Sequence, residues 1–132
     1  MKSLSLIAFV GLALFTACQE TPSERCAREA EEANRQCPKI IDANTRIDSI
    51  KYYGDSNKFC YYYSLKGQTD NELTTIIKSP ENRLQTLQSL TNTAEMRYYL
   101  EQHVTFEYIY NSQESGIRLG SIQITPDDYR TP

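Results

Sequence analysis

Four cysteines and one histidine are the side chains of this sequence best suited to nucleophilic, acid–base or metal chemistry. The last three cysteines are separated by 11 and 23 residues, with no CxxC motif and no second histidine to complete a zinc site. No serine stands in a GxSxG elbow, and the five glycines form no phosphate-binding loop. We therefore predict no metal site, no cofactor and no enzymatic activity.

His103 and three glutamates are the remaining candidates for acid–base work. His103 lies where a helical pattern ends before Val104, and a cation is favoured at a helix C-terminus, so we interpret it as structural. A hydrolase that uses carboxylates such as Glu95, Glu101 or Glu107 stays an alternative. It requires two of them to face each other at about 5 to 10 Å.

The first cysteine, Cys18, ends a segment typical of exported proteins. Lys2 is positive, residues 4–14 are apolar apart from Ser5, and small residues precede the cysteine. The apolar run is shorter than the roughly 20 residues that span a bilayer. We predict a signal peptide over residues 1–17, a tether over 18–23 and a single domain over 24–132.

The stretch Phe15-Thr16-Ala17-Cys18 resembles the lipobox of bacterial lipoproteins, with Phe15 where an aliphatic residue is usual. This resemblance implies that the Cys18 thiol carries diacylglycerol and that the signal is cleaved just before it. Loss of Lys2 leaves 13 basic against 17 acidic side chains, a formal charge of −4, which does not suggest nucleic-acid binding. We expect a lipid-anchored protein of the bacterial cell envelope, at the outer membrane.

Periodicity predicts an α+β fold in the order α-ββ-α-ββ, with helices packed on a four-stranded antiparallel sheet. Thr21 and Glu24 form a capping-box pattern, and Pro38 limits the first helix to about Gln36. Strands are predicted over residues 45–53, 58–65, 104–110 and 117–125, and a helical region over 70–103.

The mature part resembles a set of small bacterial envelope proteins and lipoproteins of unassigned function. The resemblance rests on Cys37-Pro38, Asp42 and residues 45–50, 61–65 and 104–110. It implies the fold and the location, and it supplies no catalytic residue.

Ten tyrosines and no tryptophan are the most distinctive feature of the composition. In a hairpin with a four-residue turn, the more apolar face, directed to the core, holds Ile50, Tyr52, Phe59, Tyr61, Tyr63 and Leu65; the other holds Ile47, Ser49, Lys51, Cys60, Tyr62 and Ser64. Tyr53 and Tyr62, on the less apolar face, are the predicted binding residues for a peptide, glycan or protein. For the tyrosines as a group, packing at the core and at the sheet edges is the interpretation that we favour, and a recognition face is the alternative.

Export would place Cys26, Cys37 and Cys60 in an oxidising compartment, where pairing is expected. Cys26 and Cys37 cannot bond across one helix, because 11 residues rise about 16 Å whereas bridged Cα atoms lie within about 7 Å. If the helix docks antiparallel to the first strand, Cys26 meets Cys60. We predict a Cys26–Cys60 disulfide, and Cys37 stays the alternative partner.

These observations predict a membrane-anchored, non-enzymatic binding or accessory module with a protein partner. A periplasmic inhibitor or immunity protein that blocks an enzyme is the first alternative, and a protruding acidic loop, for example around Glu114, would favour it. The carboxylate hydrolase is the second.

Overall fold

The computed structural model describes residues 19–130, so the predicted signal peptide and Cys18 lie outside the described residues. In chain order the elements are α1 (Pro22–Asn34), β1 (Lys39–Asp42), β2 (Thr45–Tyr53), β3 (Lys58–Leu65), α2 (Asp70–Ile77), α3 (Pro80–Asn92), a 3₁₀ turn (Ala94–Met96), α4 (Arg97–Glu101), β4 (Thr105–Ser112), β5 (Arg118–Ile124) and α5 (Pro126–Tyr129). Within this part of the chain, no helix combines the length and apolar character needed to cross a membrane.

The strands form one sheet in the order β1-β2-β3-β4-β5, with β3 and β4 parallel and the other neighbours antiparallel. The predicted α+β class is confirmed, but the predicted four-stranded antiparallel sheet is wrong. The helices between β3 and β4 return the chain to the same end of the sheet, and such a crossover makes the two strands parallel. The extra strand, β1, comes from a segment that we expected to be a connection.

Helix α1 begins with the predicted capping box. The Glu24 amide donates to Thr21 Oγ1 and the Thr21 amide to Glu24 Oε1, each at 3.1 Å. The helix starts at Pro22, within the predicted tether, and ends at Asn34, two residues before the predicted end. A Cβ on Gly54 would lie 3.2 Å from Ser23 Oγ, so the turn after β2 closely approaches the start of α1.

All helices pack on one face of the sheet, called here the helix side. The main core joins buried residues of α1 and α3 to the strands and contains Cys26, Ala30, Phe59, Leu90, Val104, Phe106, Ile122 and Ile124. A smaller core joins α2 to the sheet through Leu73, Ile77 and Leu119. In residues 19–130 no helix covers the other face, which we call the open side.

The β2–β3 hairpin has the predicted turn and register, with Lys51 opposite Cys60 and Tyr52 opposite Phe59. Tyr52 and Phe59 contact the main core as predicted. A bulge between Ile47 and Ser49 corrects one assignment. It places Ile47 opposite Tyr63, and directly opposed residues share a face, so Ile47 belongs to the helix side.

The predicted Cys26–Cys60 disulfide is not formed. Cys26, Cys37 and Cys60 are all free thiols. The predicted direction of docking is nevertheless right: Ser23 lies beside Gly54, and Asn34 Oδ1 accepts the Ile50 amide at 2.9 Å. Cys26 shares the main core with Phe59. Since successive strand side chains point to opposite faces, Cys60 points away from Cys26.

Candidate functional site

An aromatic ladder runs along the two central strands on the helix side. Both strands carry the pattern F-x-Y-x-Y, and the parallel register aligns the two copies. Phe59 stacks on Phe106 with ring centroids 6.2 Å apart, Tyr61 on Tyr108 at 5.2 Å and Tyr63 on Tyr110 at 5.3 Å, with interplanar angles of 11 to 18°. The phenylalanine rung is buried in the core, whereas the two tyrosine rungs are partly exposed.

The hydroxyls of the four ladder tyrosines differ from those of other tyrosines in the domain. Tyr52, Tyr99 and Tyr129 donate to Asn57, Glu29 and the Val104 carbonyl at 2.6 to 2.7 Å. Within residues 19–130, the ladder hydroxyls have no such partner, and no buried polar side-chain atom is unsatisfied. The ladder hydroxyls must therefore be accessible.

Partial burial raises the pKa of Tyr63 to about 12, and burial also raises the pKa values of Tyr61, Tyr108 and Tyr110. Their hydroxyls consequently stay protonated well above neutral pH. Each can both donate and accept a hydrogen bond.

Helix α3 forms the wall of a groove above the tyrosine rungs. The groove has a volume of about 480 Å³, and besides the four tyrosines it is lined by Asn82, Gln85, Thr86, Ser89, Leu90, Thr93 and Met96. Ser79 caps the helix by accepting the Asn82 amide at 3.2 Å. Arg83 fastens the helix to the edge of the sheet by donating to the Gln123 carbonyl at 3.0 Å and to Asp128 at 3.1 Å.

Every lining side chain of this groove is uncharged. A charged group placed there would lose water without gaining a partner, which is costly. Amide, hydroxyl and phenol groups can pair with neutral polar groups, while Leu90 and Met96 offer apolar contact. The groove therefore suits a neutral segment with mixed polar and apolar side chains.

The predicted binding residues lie on the other side of the sheet, where the structure brings them together. The hydroxyls of Tyr53 and Tyr62 are 3.4 Å apart, and Tyr53 is 42% exposed. They border a second pocket, of about 600 Å³, that also contains the ion pair between Lys58 Nζ and Glu107 Oε1 at 2.9 Å. The hydrogen bond to Glu107 raises the pKa of Lys58.

The sequence analysis assigned Tyr61 and Tyr63 to the core-directed face and did not single them out for binding. The assignment to a face is right, but the groove was missed. One signal was present: four inward positions carry tyrosine, whose polar tip requires water or a partner, where leucine or phenylalanine would fill a closed core.

The structure places His103 at a helix end and separates Glu107 from the other two candidate glutamates. His103 directly follows the C-cap of α4, with φ of 58° and its amide donating to the Leu100 carbonyl at 3.1 Å, a conformation typical of a helix end. Glu107 is on the open side, whereas the segments carrying Glu95 and Glu101 pack on the helix side, so Glu107 cannot face either one. Residues 19–130 contain no cluster of three or more potential metal ligands.

The turn that carries Glu114 is exposed and is tied to α2 by Ser115 Oγ, which donates to Asp70 at 2.8 Å. The predicted acidic loop is thus held against the domain by this bond. This contact gives no added support to the inhibitor alternative.

The chain belongs to the family described as a domain of unknown function, DUF8479, whose family model matches residues 21–120. No curated protein matches the chain.

Solved structures of three bacterial proteins share the fold. A protein of Pseudomonas aeruginosa described as secreted, PA3611, is 14% identical, with a TM-score of 0.69 over 83% of this chain and 93% of that chain. The pilotin EpsS of the Vibrio vulnificus type 2 secretion system is 10% identical, with a TM-score of 0.60 over 84% and 94%. The type II secretion pilotin AspS of Vibrio cholerae is 13% identical, with a TM-score of 0.58 over 81% and 91%.

Proposed function

We propose that this protein is a lipid-anchored, non-enzymatic binding module of the bacterial envelope, and that the groove between α3 and the tyrosine rungs takes a segment of a partner protein. The observation that carries the proposal is the set of four accessible tyrosine hydroxyls in an uncharged groove. The fold likeness to two secretion-system pilotins supports an accessory role in an envelope assembly.

The groove chemistry favours an amphipathic helix whose inserted face is neutral. A helix satisfies its own backbone groups, so only side chains need partners when it lies in a groove. Small polar side chains would bond to the tyrosine hydroxyls and to Asn82 or Gln85. An apolar anchor would contact Met96, whose flexible side chain adapts to different shapes.

Site-specific photocrosslinking tests the groove. A photoreactive amino acid at Gln85, which lines the groove, is compared with the same substitution at Gln88, which is exposed on α3 but does not line it. In native membranes we expect one crosslinked partner from position 85, with the crosslinked peptide in an amphipathic segment, and none from position 88.

A variant that places a charge in the groove should reduce the crosslinking described above. Ser89→Arg should reduce the crosslink about tenfold or more, because Ser89 is exposed in the free protein and an arginine there would become a buried, unpaired charge once a segment docks. Gln88→Arg should leave the crosslink unchanged. Equal crosslinking from positions 85 and 88, or a partner unaffected by Ser89→Arg, would rule out the groove as the docking site.

The lipid anchor at Cys18 is part of the same proposal and rests on the lipobox resemblance. Intact mass of protein extracted from membranes should show loss of residues 1–17 and the addition of acyl groups. Cys18→Ser should release the protein from the detergent phase, because a buried acyl chain contributes about 0.8 kcal/mol per CH₂. A mature N-terminus elsewhere, or detergent partitioning that survives Cys18→Ser, would disprove lipidation at this residue.

A further inference from the structure

A β-bulge determines where Arg118 points. Tyr110 pairs with Gly120, but the next residue, Asn111, pairs with Arg118, so Leu119 is the extra residue of β5. Opposed residues share a face, and Asn111 lies on the open side because it alternates with Tyr110. Without the bulge Arg118 would point to the helix side, and with it Leu119 enters the smaller core.

The open-side pocket has an apolar floor and an aromatic wall. Ile109 is only 3% exposed and Cys60 only 2%, although no helix covers them in the described part of the chain. Tyr53 and Tyr62 line the pocket beside them, and Arg118 lines it from the far end. A pocket of about 600 Å³ is in the range that holds small organic molecules.

Three of the ionic groups of this pocket, Asp55, Lys58 and Glu107, lie near one end, and Arg118 lies at the other. Lys58 and Glu107 neutralise each other at 2.9 Å, and Asp55 belongs to the turn next to Lys58. Ser64 lies six positions after Lys58 along β3, about 20 Å away. Ser64 is the neighbour of Asn111 in the sheet, and Asn111 pairs with Arg118, so the backbone of Arg118 is about 20 Å from the Lys58 end of the pocket. Asp48 is already paired with Arg46 at 2.6 Å. Arg118 has no acidic partner among residues 19–130.

We infer that the open-side pocket binds a small organic carboxylate, whose carboxylate group pairs with the Arg118 guanidinium and whose apolar body lies over Ile109 against Tyr62. The planar guanidinium offers two parallel N–H donors that match a carboxylate. A bulge that redirects a side chain is a known feature of binding sites. This site is separate from the groove and does not depend on it.

NMR titration of the full-length chain with 3-phenylpropanoate tests the assignment, with the backbone amides of Ile109 and Arg118 as reporters. The neutral analogue 3-phenylpropanamide and inorganic phosphate are the comparison ligands. We expect saturable shifts with the carboxylate, and binding at least about tenfold weaker for the amide and for phosphate, because each lacks one of the two interactions.

Three variants show which charges act. Arg118→Gln should weaken 3-phenylpropanoate binding about tenfold. Arg97→Gln, an exposed arginine on α4, should leave it unchanged. Glu107→Gln should change it by less than about twofold, because the Lys58–Glu107 pair lies at the end of the pocket far from Arg118 and charges that distant are largely screened.

The outcomes separate cleanly. No saturable binding of 3-phenylpropanoate, equal binding of the amide, or indifference to Arg118→Gln would overturn the carboxylate site. Phosphate binding as tight as that of 3-phenylpropanoate would overturn the apolar part of the assignment.

Discussion

The three consecutive tyrosines of β3 serve two different surfaces. Tyr61 and Tyr63 lie in the helix-side groove, with hydroxyls that have no protein partner in the described residues. Tyr62 lies between them in the chain but on the open side, where its hydroxyl is 3.4 Å from that of Tyr53. The comparison shows that one strand can line a groove without charged side chains on one face and a pocket with an ion pair on the other.

The difference between the two faces follows from their coverage. Under α3, water is partly excluded, so an ionic group would be costly and the lining is uncharged. On the open side, water reaches the pair of Lys58 and Glu107 and the exposed Arg118, so charges are tolerated. Each face should therefore select its ligand by charge: a neutral segment in the groove and an anion in the pocket.

The largest expected effect comes from truncating one buried side chain on each face. Phe106→Ala should lower the free energy of unfolding by about 3 to 5 kcal/mol, because Phe106 is 0% exposed within the main core and would leave a closed cavity. Ile109→Ala should cost about 2 kcal/mol, since the space left opens onto the pocket. Urea unfolding followed by circular dichroism measures both, and equal losses would show that the open side is packed as tightly as the core.

A smaller effect on stability is expected at the contact between α3 and Asp128. Asp128 accepts hydrogen bonds from the Thr125 amide at 2.8 Å and from Arg83 at 3.1 Å. The Thr125 amide, with the nearby Arg83 guanidinium, holds the pKa of Asp128 below its usual value. A carboxyl group whose folded pKa is depressed stabilises the fold above its unfolded pKa of about 3.9, and this contribution is lost as pH falls through the folded pKa.

Asp128→Asn should therefore reduce stability by about 1 kcal/mol at pH 7, the usual size of a capping contribution. The difference in stability between Asp128→Asn and the wild type should become smaller below about pH 4. Asp127→Asn is the matched control, because the Asp127 side chain is 87% exposed and its ion pair with Arg130 should contribute little. Thermal unfolding across pH measures both, and a deficit for Asp128→Asn that persists unchanged in acid would contradict the ionic role.

Local patterns correctly predicted several elements. The Thr21–Glu24 capping box, the turn at residues 54–57 and the alternation of β3 depend on residues near one another in the chain. The assignment of Tyr61 and Tyr63 to one face and Tyr62 to the other was right for the same reason. The open-side grouping of Tyr53 and Tyr62 also followed from alternation alone.

Features that depend on distant partners were not predicted. The short strand β1 carries only four residues, all exposed, so it has no hydrophobic alternation to detect. The Cys26–Cys60 disulfide was predicted from the direction of α1 alone. That prediction left out the face of the sheet on which the helix packs, and Cys60 points to the opposite face. The bulges at Asp48 and Leu119 change the face to which the neighbouring side chains point, and no clear sequence pattern indicates either bulge.

Within each stretch of strand that no bulge interrupts, the sequence by itself determined which residues share a face, because side-chain alternation is a property of each strand alone. The pattern F-x-Y-x-Y in β3 and β4 is equally compatible with parallel and antiparallel pairing. Only the crossover through α2, α3 and α4 made the strands parallel and aligned tyrosine with tyrosine. Tertiary structure likewise decided that α3 leaves the tyrosine rungs partly uncovered and that Arg118 faces the open side, because both depend on how distant segments pack and pair.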